Sequence, residues 1–505
     1  MVGWLEELRH RHWPGVLALV VAFALFISEP TIVDFFRGGH YNWVSLHSLA
    51  IVKHSRLAFG GVGFSCLELQ SQGRLWHEYF NRYPLPFAVL SRWVLEPWSG
   101  DAVSWLYAAR QWMNLIFIAT AVALWSWLRA MRFSRPVAMA ALLLTGAAPV
   151  VQEYRSMFHV DQPALLAYAL LLVVVMRKLL IPQPEPSWYL GMLLVAALSG
   201  RSAVVLIFSL VLPLLLSIVR SPSSSRSVWW GVPIAFGSVL VATTYNIVWE
   251  MRLNTLGWSQ TSVVQSALRR LNLSDEGFSP AAVSRTRWLG GALFKMADYL
   301  SQYMLPLLTL LGLLLLFWCL ALLTTQARPK AEAIGVRLSA GDSPRRFMLW
   351  STGLTSLLWL VVMKNLFVFH VYAGMVIVPF LLLGMAVVLD QMVVLVSGWA
   401  AISDRLPSQA LVCASVSVFL LVLLLGPSAE QRPDQQRRLV MEGFFKELAA
   451  YQALSPSPPL VVKNDDWFPR SPYAQCALLD GPFLLEPPKQ GGQAPQPPSF
   501  PSKPD

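Results

Sequence analysis

The sequence predicts an all-α polytopic membrane protein: a bundle of about eleven transmembrane helices with a long first outer loop containing short amphipathic helices. Three observations predict it. Only 13% of the 505 residues are charged and 55% are hydrophobic, whereas a soluble domain carries about 25% charged residues. Mean hydropathy is +0.52. The apolar residues also fall in runs of about 20, the length that crosses a hydrocarbon core of about 30 Å, and basic clusters separate those runs. The net charge of +11 therefore reads as loop charge set by membrane insertion. No nucleic-acid-binding motif, nucleotide-binding glycine motif or solenoid repeat accompanies it.

The elements follow in order. Residues 1–13 form a short cytoplasmic lead whose Arg9 and Arg11 hold the amino terminus inside. The run Pro14–Ile32 is the first span; no small-residue cleavage site follows it, so it reads as a retained helix and not a signal peptide. Residues 34–105 make the first outer loop. The second span lies near Trp112–Trp127 and ends in Arg129, Arg132 and Arg135; the third covers Pro136–Val151; the fourth runs from Pro163 to Arg177 and Lys178. The fifth, from about Trp188, breaks at Gly200 and Arg201, and the sixth continues to Ile218. The seventh covers Val228–Val248, and a polar stretch from Glu250 to Lys295 precedes the eighth, near Leu305–Leu323. The ninth and tenth, Phe347–Met363 and Val371–Leu389, flank KNLFVFH, and the eleventh runs Leu411–Leu425. These spans make residues 14–426 one transmembrane domain. Residues 427–505 form a small outer segment, Pro-rich and disordered in character from about 487.

Charge checks this order. With the amino terminus inside, Arg129/Arg132/Arg135, Arg177/Lys178, Arg220/Arg226 and the basic group from Arg328 to Arg346 all fall on the inner side, as the positive-inside rule requires. The four cysteines, Cys66, Cys319, Cys413 and Cys476, have no zinc-ligand spacing. Cys319 and Cys413 sit in apolar runs as packing residues. Cys66 and Cys476 share the outer side, and their pairing stays open.

Ionisable residues at membrane depth are expensive, about 2.5–3.5 kcal/mol each on insertion scales, and are functional candidates by default. The outer ends supply four clusters: Asp34 with His40 and His47; Glu78 with Tyr79, Arg82 and Tyr83; Arg155, His159 and Asp161; Lys364, His370 and Tyr372. Arg201 adds a lone cation between two apolar runs. All map to one face, which makes that face the candidate active site. Each residue also has an ordinary reading. Asp34 suits a helix end at the interface, Asp161 before Pro163 suits an N-cap, and Arg82 suits an i, i+4 staple to Glu78. Tyr79 and Tyr83 suit an aromatic belt, and the histidines suit structural hydrogen bonds.

The pattern of an acid just past the first span, followed by an aromatic-basic-Pro segment, resembles the polyprenyl-phosphate-dependent GT-C glycosyltransferases, the group of the protein O-mannosyltransferases and lipid A aminoarabinose transferases. YFNRYPLPF from Tyr79 is similar to that family's Tyr/His-Pro-Pro segment. HVDQPALLAYALLL from His159 is similar to its Asp-x-Pro opening of the fourth span, and FHVYAGMVIVPFLLLG from Phe369 to its late His-x-Tyr segment. SGRSAVVL resembles the family's Leu-Thr-Lys-Gly break, with Arg201 in the lysine's place. The resemblance implies a GT-C-like fold and a transferase that moves a sugar from a polyprenyl-phosphate donor to an acceptor on the outer face of the membrane. It implies membrane lipid and that donor as partners, no nucleic acid and no cofactor, with a divalent cation left open. A carboxylate takes the acceptor's proton and cations hold the leaving phosphate. The family's Asp-Glu pair is absent, and His47 stands about where its acid is expected. Asp34 is favoured as the base on position, with Glu78 and Asp161 as alternatives. Arg82, Arg155, Arg201 and Lys364 are the cation candidates. His40, His47, Tyr79, Tyr83, His159, His370 and Tyr372 are the remaining substrate-binding candidates. Two other readings remain: a catalytically inactive GT-C-like protein, and a transporter or flippase of lipid-linked sugars. The compartment the resemblance implies is a bacterial inner membrane.

Overall fold

The computed structural model describes residues 40–54, 63–71, 74–80, 85–146, 148–155, 157–180, 240, 244–245, 247–253, 258–259, 285–323, 344–362, 367, 370–399, 460–462 and 483–485. The expected first, fifth, sixth and eleventh spans lie outside the described residues, as does most of the seventh.

The element order is α1 (His40–His54), β1 (Gly63–Ser71), β2 (Arg74–Phe80), α2 (Leu85–Leu95), a 3-10 turn at Glu96–Trp98, α3 (Ala102–Ala130), α4 (Arg135–Gly146), α5 (Pro149–Tyr154), α6 (Asp161–Leu180), β3 (Trp258–Ser259), α7 (Arg285–Leu323), α8 (Pro344–Val362), a 3-10 helix Val371–Ile377, α9 (Val378–Trp399), β4 (Leu460–Val462) and β5 (Phe483–Leu485). Among the described residues, three stretches are long and apolar enough to cross a membrane: Ala102–Ala130, Leu293–Leu316 and Ala373–Val394. Arg135–Gly146 and Asp161–Val174 are shorter apolar helices.

α3 is longer than the span expected at Trp112–Trp127. Asp101 caps it, its carboxylate accepting from the Ser104 backbone N–H at 2.9 Å and the Ser104 hydroxyl at 2.7 Å. This satisfies one of the amide donors that a helix start leaves unpaired, so the helix begins ten residues earlier, at Ala102. α3 packs along α6, and α9 packs on α4 and α7. Buried small residues line these elements: Ala109 and Ala121 on α3, Ala164, Ala167 and Ala169 on α6, Ala138 and Ala141 on α4, Ala386 on α9. In lipid, close backbone approach of this kind replaces the hydrophobic drive that water supplies elsewhere. The buried Trp105, Trp125 and Trp127 of α3 fill the wider gaps.

The loop 34–105 holds one short amphipathic helix of the expected kind, α2, which buries Phe87, Ala88, Ser91 and Leu95 and exposes Leu90 and Trp93, but departs from the expectation elsewhere. α1 is buried around its whole circumference from Val44 to Val52, including Ser45, His47 and Ser48. The segment after it is an antiparallel hairpin, β1–β2, joined between Ser71 and Arg74. That hairpin nucleates a five-stranded sheet of order β3-β2-β1-β5-β4, so the architecture is a helical bundle carrying a sheet and not an all-α one. β5 runs parallel to β1 with Leu67 opposite Phe483, and β3 runs parallel to β2 with Glu78 opposite Ser259. The carboxyl-terminal segment is thus woven into the sheet founded by the first loop. Cys66 lies in β1, next to the residue that pairs with β5; Cys476 lies outside the described residues.

At the far end of α3, Arg345 ties three elements together. Its guanidinium donates to the Met131 carbonyl at 2.9 Å, the Arg132 carbonyl at 2.9 Å and Asp390 Oδ2 at 2.8 Å. It also lies 4.1 Å from the centre of the Phe133 ring. Arg132 takes the left-handed conformation, φ 63°, which turns the chain from α3 into α4.

Candidate functional site

The segment between α5 and α6 holds the most defined constellation of the expected site residues. Phe158 donates its backbone N–H to Ser45 Oγ of α1 at 3.2 Å, and its ring lies 5.7 Å from that of Phe87 on α2. Gln162 donates its side-chain amide to the Tyr154 carbonyl at 2.8 Å, spanning the turn. The segment is therefore fixed to α1 and α2 and across its own base. The 3-10 helix from Val371 packs against α5 and α6, and α7 packs against both α5 and that 3-10 helix. Trp359 of α8 donates its indole N–H to the Ala373 carbonyl at 2.8 Å, which holds the 3-10 helix against the bundle. Gly374 allows the approach: a Cβ there would stand 2.6 Å from ring carbons of both Phe367 and Tyr303.

Within this frame His159 Nδ1 lies 3.0 Å from Asp161 Oδ2. The Asp161 backbone N–H also faces Nδ1, at 3.4 Å. One nitrogen cannot donate and accept at once, and the shorter, charge-assisted contact to the carboxylate is the stronger. With the proton on Nε2, Nδ1 accepts from the Asp161 backbone N–H, as the geometry shows; with the proton on Nδ1, the carboxylate is its partner. The imidazole is 2% exposed and the carboxylate 25%. Asp161 is the first residue of α6, and its carboxylate meets a side chain. The adjacent Gln162 is buried, and its Oε1 has no donor among the described residues.

Three of the four expected clusters thus send elements to one place. Arg155 closes the turn after α5, half-buried. His159 and Asp161 pair directly. His370 caps the start of the 3-10 helix and Tyr372 is its second residue. His47 is buried in α1, the helix that receives the Phe158 bond, and His40 is that helix's first residue. Glu78 and Tyr79 lie elsewhere, in β2, with Tyr79 opposite Phe64 of β1; β1 in turn packs on α1. Asp34, Arg82, Tyr83, Arg201 and Lys364 lie outside the described residues. Among the described residues no group of three His, Cys, Asp or Glu could hold a metal ion.

Sequence reasoning missed Arg110. It is 5% exposed within α3, eight residues inside the helix start, and Asn114 one turn on is also buried. A cation buried in a spanning helix carries the same functional presumption as Arg201. Placing the span's start at Trp112 hid it; a charge enclosed by an otherwise apolar 29-residue helix was the available signal.

No family model matches this chain, and no curated protein matches it in sequence. A structure of ArnT from Cupriavidus metallidurans, bound to undecaprenyl phosphate, is similar over 92% of this chain and 86% of its own, with a TM-score of 0.47 and 14% identity. That degree of likeness carries no argument about activity, which rests on the residues themselves.

Proposed function

We propose that this chain is an integral membrane glycosyltransferase that moves a sugar from a polyprenyl-phosphate donor to an acceptor at the outer face of the membrane. The observation that supports it most is the meeting of α1, the Arg155–Asp161 segment and the His370–Ile377 segment at one end of the bundle. Each carries ionisable groups: His40 and His47, then Arg155, His159 and Asp161, then His370 and Tyr372.

The reaction needs few parts. The acceptor's nucleophilic atom bonds to the sugar's anomeric carbon as the bond from that carbon to the phosphate oxygen breaks. The bonding pair leaves with the polyprenyl phosphate, and the acceptor's proton passes to a carboxylate. Asp34, Glu78 and Asp161 are the candidates for that carboxylate. Arg155, joined by Arg82, Arg201, Lys364 and the buried Arg110, supplies cations for the growing phosphate charge. Tyr79, Tyr83 and Tyr372, with His40, His47 and His370, offer stacking and hydroxyl contacts to the sugar. The apolar bundle takes the lipid tail.

The test is transfer by the purified protein in liposomes, given a panel of polyprenyl-phosphate sugars and scored by release of free polyprenyl phosphate. Release that falls on replacing Asp34, Glu78 or Asp161 singly supports the reading. Donor binding without release across the panel points instead to an inactive relative. Movement of intact donor between leaflets points to a flippase.

A further inference from the structure

We infer that His159 and Asp161 act as one unit, in which Asp161 takes the acceptor's proton and His159 is its positioning residue. This rests on the transferase reading and takes Asp161 from its three candidate carboxylates, of which Asp34 lies outside the described residues.

Geometry makes the choice. Asp161 has one carboxylate oxygen 3.0 Å from a histidine nitrogen and is itself 25% exposed, while the histidine beneath it is 2% exposed. A base must reach substrate, and its support must not move. This pair has that division: a reachable carboxylate on a buried, immobilised donor. The support extends outward through the Phe158–Ser45 bond, the Phe87–Phe158 ring contact and the Gln162–Tyr154 bond. The buried Gln162 Oε1, without a donor among the described residues, lies on the residue next to the base and can accept from a substrate hydroxyl. Glu78 is in contrast held in β2 between β1 and β3, on the layer beyond α1. In the reacting complex the acceptor's proton passes to Asp161 while His159 keeps its Nδ1–H on Oδ2 throughout. Other ionisable groups on the elements around the pair include His40, His47, Lys53 and His54 on α1, Arg92 on α2, Arg110 on α3, Glu153 and Tyr154 on α5, Arg155 after it, and His370 and Tyr372 at the 3-10 helix.

The experiment compares Asp161→Asn, His159→Asn and His159→Gln with wild type in the liposome transfer assay, with melting temperature and donor binding measured on each. An asparagine amide nitrogen can stand where Nδ1 stands; a glutamine amide nitrogen reaches about as far as Nε2. Asp161→Asn, which is isosteric, loses about 100-fold or more in kcat, the lower bound for removing a general base. His159→Asn stays within about 3-fold of wild type. His159→Gln loses about 10-fold, and the acid limb of its pH–rate profile moves to higher pH, because the anion has lost its donor. A merely structural histidine moves the melting temperature without moving that limb. Wild-type rates in Asp161→Asn, or equal rates and unshifted profiles in the two His159 variants, overturn the inference while leaving the transferase reading intact. A wild type that transfers nothing from any donor overturns both.

Discussion

Replacing Arg345 tests whether the α3–α4 turn is held by one side chain. The guanidinium makes three donor contacts of 2.8–2.9 Å, two to the carbonyls of Met131 and Arg132 and one to Asp390, and stacks on Phe133. Hydrogen bonds to charged groups contribute about 1.5–3 kcal/mol each when well buried. Here the two side chains are 31% and 28% exposed, so solvent screening brings each contact nearer about 1 kcal/mol. Arg345→Ala should then cost about 3 kcal/mol. Lysine, a point charge without the planar fork, can keep one of the three contacts, so Arg345→Lys should cost about 2 kcal/mol. Asp390→Asn keeps both carbonyl contacts and should cost about 1 kcal/mol. Because the Asp390 contact is shared, the Arg345→Ala and Asp390→Asn effects should fall short of additivity by about 1 kcal/mol. The assay is unfolding of the detergent-solubilised protein, each variant measured at one scan rate and one lipid-to-detergent ratio. An Arg345→Ala variant within about 0.5 kcal/mol of wild type, the range of ordinary surface substitutions, would refute the reasoning.

Other expectations follow from single contacts. Ser45→Ala strands the buried Phe158 N–H; it should destabilise by about 1–3 kcal/mol and speed hydrogen exchange at Phe158 and its neighbours. Gly374→Ala drives a methyl group into Phe367 and Tyr303 and should cost about 1–3 kcal/mol as overpacking, read as a lower melting temperature. The Asp101 carboxylate is held below the usual range, chiefly by the Ser104 hydroxyl and then by the Ser104 backbone N–H. Its folded value is depressed, so its contribution is fully present above the unfolded value near 3.8 and is lost as pH falls through the folded one. Asp101→Ala should lower stability at neutral pH by about 0.5–2 kcal/mol. The difference from wild type should shrink as pH falls through the depressed folded value, and a difference that is the same in acid as at neutral pH would remove the charged cap from the explanation.

Much of the bundle was legible because lipid imposes a strong rule: apolar runs of sufficient length become helices. The start of α6 at Asp161 was visible from Pro163, two residues on, since proline is pre-organised for a first helical turn. The start of α3 was not, because Arg110 and Gln111 resemble a polar boundary. Only the Asp101 cap, ten residues before Gln111, shows that the helix runs through them. The sheet was harder still. A two-residue connection ending in Gly73 between runs ending at Ser71 and starting at Arg74 is a hairpin signal, but RLWHEYF lacks the alternation that would confirm a strand. β3, β4 and β5 are two or three residues each, too short for any periodicity, and join the sheet only through the distant pairings of β3 with β2 and of β5 with β1. The candidate site divides in the same way. Residue types marked His159 and Asp161 individually; the direct contact between them, and the roles that burial assigns to each, come only from the fold.

The sheet also constrains the topology by parity. Strands that share a hydrogen-bonded ladder lie on one side of the bilayer, so the chain between them crosses it an even number of times. β2 and β3 are paired, and six spans were expected between them. β5 and β1 are paired, and ten were expected between those. Both expected numbers are even. Independently, the Arg345 clamp joins the end of the last expected inner basic cluster to the turn that holds Arg129, Arg132 and Arg135. Those two clusters share one end of the bundle, and α3, about 43 Å long at 1.5 Å per residue, begins at the other, beside α2 and the loop that carries the hairpin. The hydrogen bonds thus put at one end of the bundle two clusters that the charge rule expects on one side. The His159–Asp161 pair stands at the start of α6, a helix that packs along α3 and runs to Leu180. The pair therefore lies beside α1, the helix on which β1 of the sheet packs.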